Sequence, residues 1–147
     1  MVNISKSKYV IFSNKNSFKL LSVRLGNGVI ECVDSVRFLG VTLDKNLTFS
    51  DHISSVSIRI SGSIGALSRV NNIFPAYIMK SLYYSMIHPH FMYAIGAWYG
   101  APEYIRNKLV VLQKRAIKTV SCSSYFSHTD RLFSDFGILK LSDLFLT

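Results

Sequence analysis

The residue types that could carry catalytic chemistry are few in this chain and do not form a recognisable active site. The eight Asp and Glu residues stand singly, with neither adjacent aspartates nor a D-x-D pair. Since two metal ions for nucleotidyl transfer need closely spaced carboxylates, the sequence predicts no such site within this chain. Neither a glycine-rich phosphate loop nor a G-x-S-x-G, H-E-x-x-H or EF-hand pattern occurs. Catalysis by this chain alone is not indicated.

The histidines and cysteines are not arranged as metal ligands. His88 and His90 flank Pro89 in an apolar run, which is more typical of structural or hydrogen-bonded core residues than of a metal pair. Cys32 and Cys122 form no C-x-x-C pattern, and two cysteines are too few for a disulfide framework, so we expect reduced thiols. The polar, basic N-terminus lacks a signal-peptide pattern. We therefore expect an intracellular protein, nuclear or cytoplasmic and not secreted.

The composition combines a strong positive charge with an unusual excess of apolar residues. Seventeen Lys and Arg residues against eight Asp and Glu residues give a net charge of +9. This balance favours a polyanionic partner, either nucleic acid or an anionic membrane surface, although a merely solvated basic surface is the simpler interpretation. Charged residues make up 17% of the chain and hydrophobic residues 49%. The apolar excess favours a fragment, a partner-dependent module or a membrane contact.

One predicted helix carries a basic arc. Apolar residues recur at helical spacing from residue 103 to about residue 121, which predicts an amphipathic helix. Lys108, Arg115 and Lys118 lie within about a third of its circumference, with Lys114 next to them. The predicted buried stripe consists of Ile105, Leu109, Leu112, Ala116 and Val120.

The elements that must position these side chains change character near residue 50. Residues 1–49 contain short apolar runs separated by Gly, Asn and Ser, with a hairpin predicted at Gly26-Asn27-Gly28 and a strand from Val36 to Leu43. From Ser50 the apolar spacing becomes helical, with Arg59 and Arg69 off the apolar stripe. We therefore predict an α+β chain, in which a small, mostly antiparallel sheet at 1–49 precedes a helical bundle at 50–147.

The uncharged run from residue 81 to residue 102 allows two interpretations. Pro75 is suited to open a helix, and Pro89 must bend or break it. A membrane-associated helical hairpin is one possibility, but His, Pro and Gly are spread through the run rather than placed at its ends. A hairpin buried in the core is the favoured prediction, and no stable membrane insertion is expected. Shorter helices are predicted from Thr129 and from Ser142.

Four segments resemble sequence motifs of one family. They are Asn3-x-x-Lys6-Ser7 with Phe12, the run from Phe38 to Asp44, the run from Leu82 to Trp98 that contains His88-Pro89-His90, and Leu112-Gln113-x-x-Ala116-x-Lys118. In this order they resemble the N-x-x-K-T, F-L-G-V-x-L-D, L-Y-x-S-x-I-x-P and L-Q-x-x-A-x-R motifs of reverse transcriptases from non-LTR (LINE-type) retrotransposons. Ser7 replaces the usual Thr. The resemblance implies the end of a polymerase palm followed by a thumb.

The resemblance also implies roles for individual residues. Lys6 would approach the phosphates of the incoming nucleotide, and Phe38, Leu39 and Gly40 would form the turn of a primer-grip-like hairpin. A template–primer duplex containing RNA would be held through its backbone by a set of basic residues: Arg59, Arg69, Lys108, Lys114, Arg115 and Lys118.

The family's catalytic carboxylates, its fingers and the rest of its palm have no counterpart in this sequence. The resemblance therefore implies that these parts are partners of the chain and that the chain does not polymerise alone. It implies no cofactor in this chain, with Mg²⁺ bound in the complete polymerase. A stand-alone basic nucleic-acid-binding module and a membrane-associated hairpin are the alternatives.

Overall fold

The protein is described by a computed structural model covering residues 7–13, 22–26, 28–123 and 127–146. Strands occupy the first part of the chain and helices the rest, which confirms the predicted α+β class. The chain divides into two compact units, Met1–His52 and Ile53–Thr147.

The strands of the first unit are short and pair two by two. In the described part of this unit there are three separate pairs, two antiparallel and one parallel, rather than the single sheet that we predicted. The hairpin predicted at Gly26-Asn27-Gly28 is confirmed by its two strands, because Leu25 pairs antiparallel with Gly28; Asn27 itself lies outside the described residues. The strands are β1 (Lys8–Tyr9), β2 (Arg24–Leu25), β3 (Gly28–Val29), β4 (Glu31–Cys32), β5 (Ser35–Phe38) and β6 (Val41–Asp44), paired as β1 with β4, β2 with β3 and β5 with β6.

The stretch predicted as one strand from Val36 to Leu43 is instead a hairpin, so that prediction is wrong. Phe38 pairs with Val41, which leaves Leu39 and Gly40 as a two-residue turn. Both have positive φ, +46° and +81° respectively, as in the type I′ turns that match the twist of paired strands. The turn that the resemblance implies at Phe38, Leu39 and Gly40 is present, with Leu39 and Gly40 between the paired strands.

Asp44 organises the connection from β6 to the first helix. Its carboxylate accepts hydrogen bonds from the backbone N–H groups of Asn46, Thr48 and Phe49 and from the Thr48 hydroxyl, at 2.7–3.1 Å. Partial burial alone would raise the pKa of Asp44, but these hydrogen bonds outweigh it and lower the pKa below its ordinary value. The Thr48 hydroxyl in turn accepts from the N–H of Ser50 at 3.4 Å. Thr48 thus supplies the capping oxygen.

In the described part of the chain seven helices follow, and proline or glycine marks three of their boundaries. Pro75 directly precedes the second helix, Pro89 lies in the first turn of the third, and Gly137, with φ of +57°, ends the sixth. The helices are α1 (Ser50–Val70), α2 (Ala76–Met86), α3 (His88–Met92), α4 (Ile95–Trp98), α5 (Glu103–Val120), α6 (Thr129–Phe136) and α7 (Leu141–Leu144).

The apolar stripes predicted for α1 and α5 are largely buried. The α1 stripe is confirmed along its whole length, since all five of its residues are buried: Ile53, Val56, Ile60, Ile64 and Leu67. On α5 the stripe is confirmed except at Leu112, which is half-buried, whereas Gln113 and Ile117 are buried instead. His52, in the first turn of the first helix, is also buried. Burial therefore follows helical periodicity, with one polar residue in the α5 stripe.

The uncharged run is divided among three helices. Pro89 lies in the first turn of α3, just after α2 ends, and Ala94, with φ of +53°, stands between α3 and α4. Each of the three helices contributes a fully buried aromatic side chain, respectively Tyr83, Phe91 and Trp98. Trp98 donates its indole N–H to the carbonyl of Tyr93 at 2.9 Å. In the described ranges, we find no helix with the length and apolar character that crossing a bilayer requires.

Candidate nucleic-acid interface

One face of α5 presents five residues to solvent in a regular row. Tyr104, Lys108, Val111, Arg115 and Lys118 follow one another at spacings of four and three, which places them on one side of the helix. Tyr104 is 72% exposed and Val111 is 63% exposed, and of the five only Lys118 is half-buried. At 1.5 Å per residue the row is about 21 Å long. We call it the outer row of α5.

A groove lies beside the C-terminal half of this row. The basic residues Lys114, Arg115 and Lys118 line it, so the structure brings together three of the four basic residues predicted on this helix. Lys108 lies further along the outer row and is not part of the groove. The remaining lining residues are Asn71, Val111, Thr119 and Ser123. We call this site the basic groove.

The basic groove forms where the end of α1 approaches the end of α5. Asn71 directly follows α1, and its carbonyl accepts a hydrogen bond from the Sγ of Cys122 at 3.0 Å. Thr119 and Ser123 add hydroxyl groups, and Asn71 adds an amide. Ammonium, guanidinium, hydroxyl and amide groups are the donors that proteins use to bind phosphate oxygens.

Three basic residues of this face have no ion-pair partner among the residues that the structure describes. Within the described ranges, no carboxylate forms an ion pair with Lys108, Lys114 or Arg115. The charge of Lys114 contributes to lowering the pKa of Asp130, but the Asp130 carboxylate forms its ion pair with Lys140 Nζ, at 2.7 Å. The hydrogen bond from Lys140 is the main reason why the pKa of Asp130 lies below its ordinary value. Lys108, Lys114 and Arg115 are thus available to an external anion.

The two arginines predicted on α1 do not form one cluster. Arg59 and Arg69 are both exposed, and Arg69 lies in the last turn, two residues before Asn71. Ten residues separate the two arginines, so they are about 15 Å apart along the helix and about 80° apart around it. The sequence position of Arg69 therefore associates it with the end of α1 that borders the basic groove, and Arg59 lies away from that end.

The predicted primer-grip residues lie at the tip of the β5–β6 hairpin. Phe38 and Leu39 are exposed, Leu39 by 75%, although both are large and apolar. Leu39 also adopts a left-handed backbone conformation, which costs an L-residue roughly 1–2 kcal/mol. Lys6, predicted to approach nucleotide phosphates, lies outside the residues that the structure describes.

Gln113 is a polar residue that the sequence analysis missed. It is only 2% exposed, and its Nε2 donates to the carbonyl of Leu139 at 2.9 Å and to the hydroxyl of Tyr83 at 3.3 Å. Its Oε1 accepts from the N–H of Leu141 at 2.8 Å. These bonds attach α5 to the segment that leads into α7. The signal available in the sequence was its position one turn after Leu109 on the buried side.

Arg106 differs from the other basic residues of α5. Its guanidinium carbon lies 4.4 Å from the ring centroid of Tyr99, and Phe145 stacks on the same tyrosine at 4.1 Å. A cation at this distance from an aromatic ring is attracted by the ring's quadrupole. Arg106 therefore packs within its own unit.

The described residues do not fit a magnesium site. In the part of the chain that the structure describes, no three His, Cys, Asp or Glu side chains come together. His88, considered above as half of a metal pair, packs its ring 5.0 Å from that of Tyr84, and burial lowers its pKa.

Comparison with known proteins shows which class of protein this α+β chain with a basic helical face resembles. Most of the chain is similar to segments of RNA-directed DNA polymerases from non-LTR retrotransposons of Drosophila. The RNA-directed DNA polymerase from the mobile element jockey of Drosophila melanogaster is 25% identical over 145 residues, covering 97% of this chain. The jockey polymerase of Drosophila funebris is 26% identical over 146 residues, also 97% of this chain.

A third relative belongs to a different element. The protein described as a probable RNA-directed DNA polymerase from transposon BS of Drosophila melanogaster is 24% identical over 119 residues, 79% of this chain. The chain spans 16% of the length of each jockey polymerase and 13% of that of the BS protein. No family model matches the chain, and no solved structure matches it significantly.

Proposed function

We propose that this chain supplies part of the surface with which a non-LTR retrotransposon reverse transcriptase holds its template–primer duplex. The observation that carries the proposal is the basic groove, in which Lys114, Arg115 and Lys118 converge. The catalytic carboxylates, the metal ions that they bind and the fingers come from other parts of such a polymerase. This activity takes place inside the cell, in the nucleus or the cytoplasm.

The groove is suited to bind a nucleic-acid backbone rather than to read bases. Its basic side chains are mounted on one rigid helix, and its hydroxyl and amide groups are donors for phosphate oxygens. A polymerase must hold every sequence that it copies, and phosphate contacts carry no direct sequence information. Binding should therefore be independent of sequence and should weaken steeply as salt is added, because counterions are released from the duplex.

The hairpin tip supports a role next to the primer. An exposed leucine in a left-handed turn is unfavourable both in hydration and in backbone conformation. We propose that Phe38, Leu39 and Gly40 contact the primer strand, as the resemblance implies. We also propose that Lys6 approaches the incoming nucleotide, and the resemblance is the support for this role.

A salt titration of paired charge variants tests the duplex grip. We expect Lys114→Gln/Arg115→Gln to weaken binding of the full chain to an RNA–DNA duplex, and to reduce the slope of log affinity against log salt by up to about 2 units. The matched control is Lys80→Gln/Arg131→Gln, which removes the same charge from α2 and α6. This control should alter the slope far less. Fluorescence anisotropy of a labelled duplex measures both quantities.

Two results would contradict the duplex grip. One is an equal effect of the two charge pairs, which would show that net charge rather than the groove is responsible. The other is an affinity that stays constant between about 0.1 M and 0.5 M salt, since phosphate contacts cannot behave in this way. Arg59→Gln and Arg69→Gln, measured singly, extend the test to α1. A stand-alone binding module is less favoured, because the relatives are described as polymerases.

A further inference from the structure

The outer row of α5 contains two side chains that phosphate binding does not explain. Tyr104 and Val111 lie on the same face as Lys108, Arg115 and Lys118 and are more than half exposed. Tyr104 occupies the first turn of α5, about 21 Å from Lys118 along the helix axis. An aromatic ring at the end of a basic row is therefore presented to solvent.

Tyr104 lies next to positive charge on this row. Lys108 follows it one helical turn later on the same face, and Arg115 and Lys118 lie further along. Aromatic rings beside a basic track stack on bases of single strands, whereas bases inside a duplex are already stacked on one another. The end of the row thus suits an unpaired nucleotide, and its other half suits a backbone.

We propose that the outer row of α5 binds a junction between duplex and single strand. The basic groove holds the phosphates of the duplex, and Tyr104 stacks on the first unpaired base of the extending strand. This inference rests on the proposed duplex grip and specifies its ligand as a duplex with a single-stranded extension rather than a blunt duplex. Val111 provides an apolar contact between the two ends of the row.

The test compares three labelled probes with the full chain. They are a blunt RNA–DNA duplex of about 12 base pairs, the same duplex with an unpaired extension of about four nucleotides, and that extension alone. We expect the extended duplex to bind about tenfold more tightly than the blunt one, since one stacked base contributes this much. Tyr104→Ala should abolish the difference, and Tyr104→Phe should keep it because the ring remains.

The control variant is Tyr77→Ala, because Tyr77 is also 72% exposed but lies on α2. It should leave the preference for the extension unchanged. A second readout is direct: 2-aminopurine at the first unpaired position should lose fluorescence when the chain binds, and Tyr104→Ala should restore it. A stability effect of the substitution could not produce this pattern.

The outcomes separate the two proposals. If the blunt and extended duplexes bind equally well, or if Tyr104→Ala weakens both to the same extent, the junction inference is overturned and the duplex grip stands. If Tyr104→Ala affects no probe, the tyrosine serves a protein contact and the inference is likewise overturned. If none of the probes binds, the duplex grip itself fails and the inference fails with it.

Discussion

A single buried amide determines how the C-terminal part of the second unit packs onto α5. Gln113 forms three hydrogen bonds, to Tyr83, Leu139 and Leu141, in a site with almost no solvent. Net hydrogen-bond contributions are modest, but a buried group left without a partner costs its full desolvation energy. Gln113 therefore stabilises the fold by supplying hydrogen-bond partners to buried polar groups.

Replacing Gln113 by Leu should lower the free energy of unfolding by about 2–4 kcal/mol, because the backbone groups of Leu139 and Leu141 lose their partner. Asn107→Leu, an exposed change on the same helix, is the matched control and should change it by less than about 0.5 kcal/mol. Urea unfolding followed by circular dichroism measures both. If the two variants have equal stability, the hydrogen bonds of Gln113 contribute nothing.

At the scale of elements, periodicity decides which side chains can act together. The same helix α5 buries one face and presents another on which basic and aromatic residues alternate. The β5–β6 hairpin is also a self-contained element, in which four residue pairs surround a two-residue turn. A substitution within either element should therefore change its stability in a predictable direction.

Leu39→Asn should stabilise the hairpin by about 0.5–1 kcal/mol, because Asn tolerates the left-handed conformation that Leu adopts with strain. Arg37→Asn on β5 is the matched control with the opposite sign, since Asn disfavours a strand. Hydrogen exchange of the hairpin amides measures both effects. Faster exchange in Leu39→Asn would contradict the assigned turn.

At the scale of the whole molecule, stability depends on groups buried far from any proposed ligand. Tyr83 is fully buried, and burial raises its pKa to about 12 even though the hydrogen bond from Gln113 lowers it. In the unfolded chain its pKa is that of an ordinary tyrosine, about 10. The folded state is thus penalised only when the pH is high enough to ionise the unfolded phenol.

The contribution of Tyr83 to folding should be fully present below pH 10 and should be lost progressively between about pH 10 and pH 12, by up to roughly 3 kcal/mol. Tyr83→Phe should flatten this part of the pH profile, although it is less stable at neutral pH through loss of a hydrogen bond. Tyr77→Phe, at an exposed position, should keep the wild-type profile. Identical alkaline slopes in all three proteins would exclude Tyr83 as the cause.

The sequence by itself determined the fold class, most helix boundaries and the relationship to polymerases. The signals were helical spacing, the prolines at 75 and 89 and the glycine at 137. Each of these acts on the backbone within a few residues, so a short stretch of sequence contains all the information needed to read it. The domain boundary at residues 49 and 50 and the role of Lys6 stay predictions. The strand predicted from Val36 to Leu43 failed because a run of apolar residues does not reveal where the backbone reverses.

Only the tertiary structure decided which distant residues meet. It placed Asn71 beside Lys114 and Lys118, and it made a polar residue, Gln113, part of the buried surface. It also left Tyr104 uncovered, although an aromatic residue next to a predicted core stripe could equally have been buried. The physical reason is that burial and proximity depend on how the helices pack onto one another, and this packing is a property of many residues that no single stretch of sequence contains.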